Sequence, residues 1–236
     1  MVVSKAGHAA IMPNRPHKAL IDHRPWLLAS LIFSLCYFVW GDTLPGLFVI
    51  PLKGLGVGLL AIYAARRSSG TDGVLVALVL GLSALADMVL EVSFLFGAAI
   101  FALAHLVAIA LYWRNPRQKR HGSQMGAALA IAILVPAITA LLTWPQPNWH
   151  LATLYACTLA AMSASAWVSR FPRYRVGLGT LLFVASDLAI FAREAGRIDP
   201  ALADWIVWPL YYVGQLMIAT GVVQTLRNKA AKGLQR

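Results

Sequence analysis

Residues 74–91 read VLVALVLGLSALADMVLE, and this stretch decides the fold. No charge interrupts it before Asp87, and as a helix its length rises about 27 Å, close to the thickness of a bilayer's hydrocarbon core. It reads as a transmembrane helix whose last turns carry two acids. Seven further apolar runs of comparable length lie around it, at about 25–41, 46–65, 94–113, 125–143, 149–169, 176–192 and 205–226. Breaks between them fall where turn-forming residues cluster, at Gly41–Gly46 with Pro45, Arg66–Gly73, Asn115-Pro116, Pro145 with Pro147, Pro172 and Gly196–Pro200.

The composition agrees. Of 236 residues, 59% are apolar and 12% charged, whereas a soluble domain is about a quarter charged. The chain has too little polar surface to cover a water-facing globule, so the expected fold is all-α, a polytopic bundle of eight transmembrane helices. The expected organisation is a basic N-terminal segment (1–24), a membrane domain (25–226) and a basic tail (227–236). The first apolar run follows basic residues, as in a signal peptide, but Gly41-Asp42-Thr43 after Trp40 offers no small-x-small cleavage pattern. It is read as a membrane span. Cys36 and Cys157 lie inside apolar runs, where a thiol packs as a small hydrophobe.

Charge sets the expected orientation. The formal net charge is +11, but the basic residues sit in short clusters between apolar runs, which suits the positive-inside rule rather than nucleic acid. Alternate loops and both ends hold 17 of the 20 Lys and Arg residues, whereas Arg193 and Arg197 fall on the other side and Lys53 inside a span. Both termini are therefore expected in the cytoplasm. Tryptophans 26, 40, 113, 144, 149, 205 and 208 fall near span ends, where indole rings anchor at the interface.

An ionisable side chain at membrane depth costs several kcal/mol unless paired or hydrated, so each one is a functional candidate. Counting about 1.5 Å per residue from the non-cytoplasmic end, Asp87 and Asp187 lie roughly 6 to 8 Å down, Lys53, Tyr211 and Tyr212 roughly 10 Å, and His105 and Gln215 about 15 to 17 Å. Five helices thus place polar groups in one leaflet. Each has a plainer reading: His105 as an interhelical hydrogen-bonder, Lys53 as a snorkelling cation, Glu91 as a headgroup-layer acid. Asp87 and Asp187 resist it best, because Ala84-Leu85-Ala86-Asp87 and Val184-Ala185-Ser186-Asp187 end two outward-running helices in similar settings. That similarity hints at a four-plus-four parallel repeat.

At these residues the chain resembles the YhhN family of integral membrane lysoplasmalogenases. Gly81 to Asp87, followed by Phe96-Gly97 and Phe101 to His105, is similar to the family's Gly-Asp helix and its Phe-x-x-x-His partner. Gly179 to Asp187 is similar to its Ser-Asp helix, Tyr211-Tyr212-Val213-Gly214-Gln215 to its Tyr-Tyr-x-x-Gln, and Lys53 to Gly56 to its Lys-x-Leu-Pro element. Ala86 stands where the family usually has Gly, and Gly56 replaces a proline. The resemblance implies hydrolysis of the vinyl ether of a lysoplasmalogen, releasing a fatty aldehyde and a glycerophospho-headgroup. It also implies a bacterial inner membrane.

A vinyl ether opens when its terminal alkene carbon is protonated, giving an oxocarbenium ion that water captures. Two carboxyl groups suit this chemistry, one as acid and one as anion, as in glycosidases. Asp87 and Asp187 are the expected pair, with Lys53, His105, Tyr211, Tyr212 and Gln215 in support and Glu91 and Arg193 near the headgroup. With one histidine in the cluster and no H-E-x-x-H spacing, no metal and no cofactor are expected. No G-x-S-x-G element points to a serine nucleophile. The other readings are a proton-coupled transporter and a non-catalytic lipid-binding bundle. A transport path should continue through the cytoplasmic half, which carries almost no ionisable group inside a span. The sequence carries no signal of oligomeric state.

Overall fold

The computed structural model describes residues 24–119 and 121–233; the basic positions Lys5, Arg15, Lys18, Arg120 and Arg236 lie outside the described residues. Eight helices follow one another: α1 Arg24–Trp40, α2 Gly46–Arg67, α3 Gly70–Leu90, α4 Phe94–Trp113, α5 Gly122–Thr143, α6 Trp149–Val168, α7 Leu178–Glu194 and α8 Pro200–Gly233. All eight spans are long and apolar enough to cross a bilayer, and no named strand occurs among the described residues. The protein is an integral membrane bundle. Its lipid-facing surface reverses the soluble pattern: Leu47, Phe48, Phe96 and Leu141 are each well over half exposed.

Four helices, α2, α3, α5 and α8, are longer than the hydropathy runs, and two of the extensions matter. α3 begins at Gly70, where a positive φ of 72° turns the chain back after α2; only glycine adopts that conformation without strain. α8 runs 34 residues, about 51 Å, so it overshoots the membrane and carries its basic residues on a helical extension. Hydropathy could not show this, because a polar helix and a polar tail have the same composition.

Packing follows chain order at first, α1 on α2, α2 on α3, and α3 on α4, then α4 leans on α6, α6 on α5, and α7 on α8. α8 closes the ring against α2 and α3. It and α7 are the central helices, 56% of the residues in each apolar span being buried against 11% for α1. The α7–α8 crossing is close because both helices put glycine there: a β-carbon on Gly179 would lie 2.8 Å from the Gly214 carbonyl oxygen, and one on Gly214 2.7 Å from that of Gly179. Both glycines sit in the segments that carry the family resemblance.

Some pairings match a four-plus-four repeat, α1–α2 with α5–α6, α3–α4 with α7–α8, and α2–α8 with α6–α4. The match breaks where α2 packs closely on α3, because α6 meets α7 only lightly. Asp187 and Tyr155 meet across that opening.

Candidate functional site

Asp87 and Asp187 occupy the last turns of α3 and α7, at the end of the bundle opposite the arginine-rich loops. Both are buried. Each accepts one short hydrogen bond from a tyrosine on another helix. Tyr211 on α8 donates to Asp87 Oδ2 at 2.7 Å, and Tyr155 on α6 donates to Asp187 Oδ2 at 2.6 Å. Bonds of this length hold each carboxyl group in place as well as satisfying it.

Between them stands an aromatic wall. Tyr155 packs edge-on against His105 at 5.3 Å, His105 against Phe183 at 5.4 Å, and Phe183 against Tyr211 at 5.1 Å. Phe101 meets His105, Phe183 and Tyr211. α4 and α7 thus meet through large rings rather than by close backbone approach, which leaves room for a cavity.

The hydrogen-bond pattern assigns the histidine tautomer. Thr158 Oγ1 donates to the Tyr155 carbonyl at 2.8 Å, so in the neutral ring His105 Nδ1 donates to Thr158 Oγ1, at 3.3 Å. Among the described residues, His105 Nε2 is left as a buried acceptor with no hydrogen-bond partner, and the Gln215 amide is buried beside the Tyr211 hydroxyl without a well-formed hydrogen bond. Such groups are expensive in an apolar interior.

Lys53 lies beside this centre. Its ammonium pairs with Glu91 Oε1 at 2.6 Å, sits 5.4 Å from the centre of the Tyr37 ring, and is felt electrostatically at Asp87. Lys53 and Glu91, candidates on separate helices, are therefore one ion pair joining α2 and α3. Tyr212 points elsewhere. Its hydroxyl donates to Ser30 Oγ at 2.8 Å, since Ser30 gives its own hydrogen to the Gly56 carbonyl, tying α8 to α1 and α2. Arg193 pairs with Glu194 and Asp204 at 3.2 and 3.0 Å on the rim.

A cavity of about 480 Å³ opens at this end between α4, the α5–α6 loop, α6 and α7. Phe94, Leu95, Phe101 and Phe191 give it apolar walls, Asp187 and Tyr155 line it, and Glu194 belongs to its lining too. A mostly apolar recess with a few converging polar groups is the usual form of a ligand site. Among the described residues, no three His, Cys, Asp or Glu side chains converge as metal ligands would.

The sequence reading places a span at 149–169 but no candidate site residue on it. Tyr155 begins its seventh residue position from the Trp149 end, about 9 Å down, the same depth band as the other candidates. Tyrosine was overlooked there because, standing alone, it reads as an interfacial anchor. Tyr37 on α1 was overlooked for the same reason.

Comparison with known proteins identifies the family. No solved structure matches the chain. Two proteins named lysoplasmalogenase, from Mycobacterium bovis and Mycobacterium tuberculosis, are each 30% identical over 176 residues, which cover 69% of this chain and 66% of the relative, just under two thirds of its length. The family model that matches is that of the YhhN family, over residues 48–222, a stretch that runs from α2 into α8 and takes in both aspartates and both of their tyrosines. The chain belongs to the YhhN family.

Proposed function

We propose that the protein is a membrane-embedded hydrolase that cleaves the vinyl ether of a lysoplasmalogen, yielding a fatty aldehyde and glycerophosphoethanolamine or glycerophosphocholine. The observation that carries this reading is the position of Asp187 on the wall of an apolar cavity that opens at one end of the bundle. A single-chain lipid fits such a recess, its chain against Phe94, Leu95 and Phe101 and its headgroup near Glu194 and the Arg193 pair. The ether bond then falls a few ångströms below the interface, level with the carboxylates.

In this mechanism Asp187 protonates the alkene carbon remote from the ether oxygen, because it lines the cavity. The electron pair of the double bond forms the new C–H bond, and the resulting oxocarbenium ion is stabilised by the second carboxylate, Asp87, held by Tyr211 and facing the Lys53 charge. Water adds to the cation and returns a proton to the site. The hemiacetal collapses to aldehyde and alcohol, so that one water is consumed overall. His105 Nε2 and the Gln215 amide are buried polar groups without well-formed hydrogen bonds among the described residues, and they suit a role in orienting that water. Lys53 and Glu91 set the charge beside Asp87; Tyr212 braces α8.

We place the arginine-rich loops, the 1–24 segment and the 227–236 tail in the cytoplasm of a bacterial inner membrane, with 25–226 as the embedded domain, on the strength of the charge asymmetry. The site then faces the outer leaflet. The deciding experiment is an assay of aldehyde release from alkenyl lysophospholipid by the purified protein, with an acyl lysophospholipid as control. Folded protein that releases no aldehyde from any alkenyl lysolipid would refute the proposal.

A further inference from the structure

The opposite end of the bundle carries a second recess, and nothing in the chemistry above uses it. A cleft of about 730 Å³ opens between the end of α2, the start of α3, the end of α4 and the overhanging last turns of α8. Five cations line it, Arg66, Arg67, Arg114, Arg227 and Lys229, against one acid, Asp72. Asp72 is engaged, accepting from Arg114 Nε at 3.1 Å. The excess of positive charge is therefore concentrated in one concave place.

Positive-inside charges need only be on the correct side of the membrane; they need not converge. Two other basic residues of this end show the contrast. Arg117 donates to the Ser169 and Phe171 carbonyls at 3.0 Å each, and Arg175 bonds Gln224, so these arginines fasten loops and helices together. Arg66, Arg227 and Lys229 make no ion pair among the described residues, yet two helices far apart in the chain, α2 and α8, bring them to the same cleft. The polar part of α8 continues as helix past Leu226, which is what carries Arg227 and Lys229 to its wall.

The start of α3 adds donors. Ser68 turns its hydroxyl back to the Ala64 carbonyl, and the N-cap residue Ser69 makes no side-chain capping bond. The first N–H groups of α3, in the Gly70–Asp72 turn that lines the cleft, are thus left without side-chain caps at the positive end of a helix dipole. Guanidinium forks beside such N–H groups match the oxygens of a phosphate. Trp113, exposed and next to Arg114, puts the cleft at headgroup level rather than out in water. That level favours a lipid over a soluble anion.

We propose that this cleft binds a phosphate group carried by an anionic phospholipid of the leaflet at the arginine-rich end. The bound headgroup clamps α2, α3, α4 and α8, the helices whose other halves carry Lys53, Asp87, His105 and Tyr211. The site stands apart from the hydrolysis and does not depend on it.

The test follows thermal unfolding of the purified full-length protein in a neutral detergent, titrated with dioctanoyl phosphatidic acid, dioctanoyl phosphatidylglycerol, dioctanoyl phosphatidylcholine or inorganic phosphate. A ligand that binds only the folded state raises Tm saturably. The two anionic lipids should do so by a few degrees and phosphatidylcholine should not. Arg66→Gln with Arg227→Gln should raise the half-saturating concentration about ten-fold or more, whereas Lys119→Gln with Arg170→Gln, equal in charge lost, should leave it unchanged. Equal weakening in both double variants, or an equal response to phosphatidylcholine, overturns the site. A full response to inorganic phosphate alone keeps a phosphate site but overturns the lipid as its source. Should the glutamine variant fail to fold, Arg66→Lys with Arg227→Lys and the salt dependence of the unmodified protein decide instead: half-saturation that does not move with added salt overturns the proposal.

Discussion

Tyr155 holds Asp187 at 2.6 Å across the lightly packed junction of α6 and α7, so this single hydrogen bond fixes the carboxylate that lines the cavity. Tyr211 does the same for Asp87 from α8 at 2.7 Å. The two pairs are not equivalent under a four-plus-four repeat. Asp187 takes its tyrosine from the second helix of its own half, while Asp87 takes one from the fourth helix of the other half.

From this geometry, Tyr155→Phe should lower turnover by about 10- to 100-fold, because Asp187 becomes a carboxylate as it gives up its proton and a hydrogen bond to that developing charge is worth roughly 1.5 to 3 kcal/mol. The ring remains, so packing against His105 and Phe191 persists and the protein should stay folded. Steady-state kinetics of aldehyde release, read beside gel filtration in detergent, checks it. Turnover equal to the unmodified enzyme would mean that Tyr155 is a packing residue.

Orientation predicts a second outcome. A reporter that is active only in the cytoplasm should be active when fused after Arg236 and silent when inserted near Gln146, because three spans, α6, α7 and α8, separate the two points and the basic loops alternate. The reverse pattern would place the aspartates in the cytoplasmic leaflet.

Much of this was legible in the sequence because the bilayer imposes simple constraints. A span must be about 20 apolar residues long and an ionisable group within it is conspicuous, so the eight helices and Asp87, Asp187, Lys53 and His105 stood out. What did not show was direction around a helix. Tyr211 and Tyr212 are adjacent and chemically alike, but successive residues point about 100° apart, and only the fold tells which one meets Asp87 and which meets Ser30. The Lys53–Glu91 pair was hidden similarly, its members lying 38 positions apart on two helices.

The glycine crossing of α7 and α8 yields a stability prediction. Gly214→Ala would bring a methyl group to 2.7 Å from a backbone oxygen, so the helices must separate, at a cost of about 1 to 3 kcal/mol. Gly126→Ala is the control, since a β-carbon there meets nothing within 4 Å and alanine is the better helix former. Thermal unfolding should show a lower Tm for the first and an unchanged or higher one for the second.

Metal dependence is tested directly. Because no three ligating side chains converge among the described residues, turnover should survive prolonged treatment with EDTA. Activity lost to the chelator and restored by one divalent ion would turn Asp87, His105 and Asp187 into a metal site and displace the two-carboxylate mechanism.

The aspartates themselves give the sharpest test. Asp87→Asn and Asp187→Asn should each abolish aldehyde release while leaving an inserted, monodisperse protein. Asparagine keeps the volume of aspartate and an oxygen that Tyr155 or Tyr211 can still reach, but it neither gives up a carboxylic proton nor carries negative charge. If both carboxylates serve one reaction, the first substitution already removes the chemistry, and the double variant should be hardly slower than the slower single variant. Were they struts between helices, the amide would serve nearly as well, and whatever small losses occurred would multiply in the double variant. Near-normal turnover in either single variant, with the tyrosine contacts and the fold intact, would therefore exclude the pair as the catalytic apparatus and leave the cavity as a binding site for lipid.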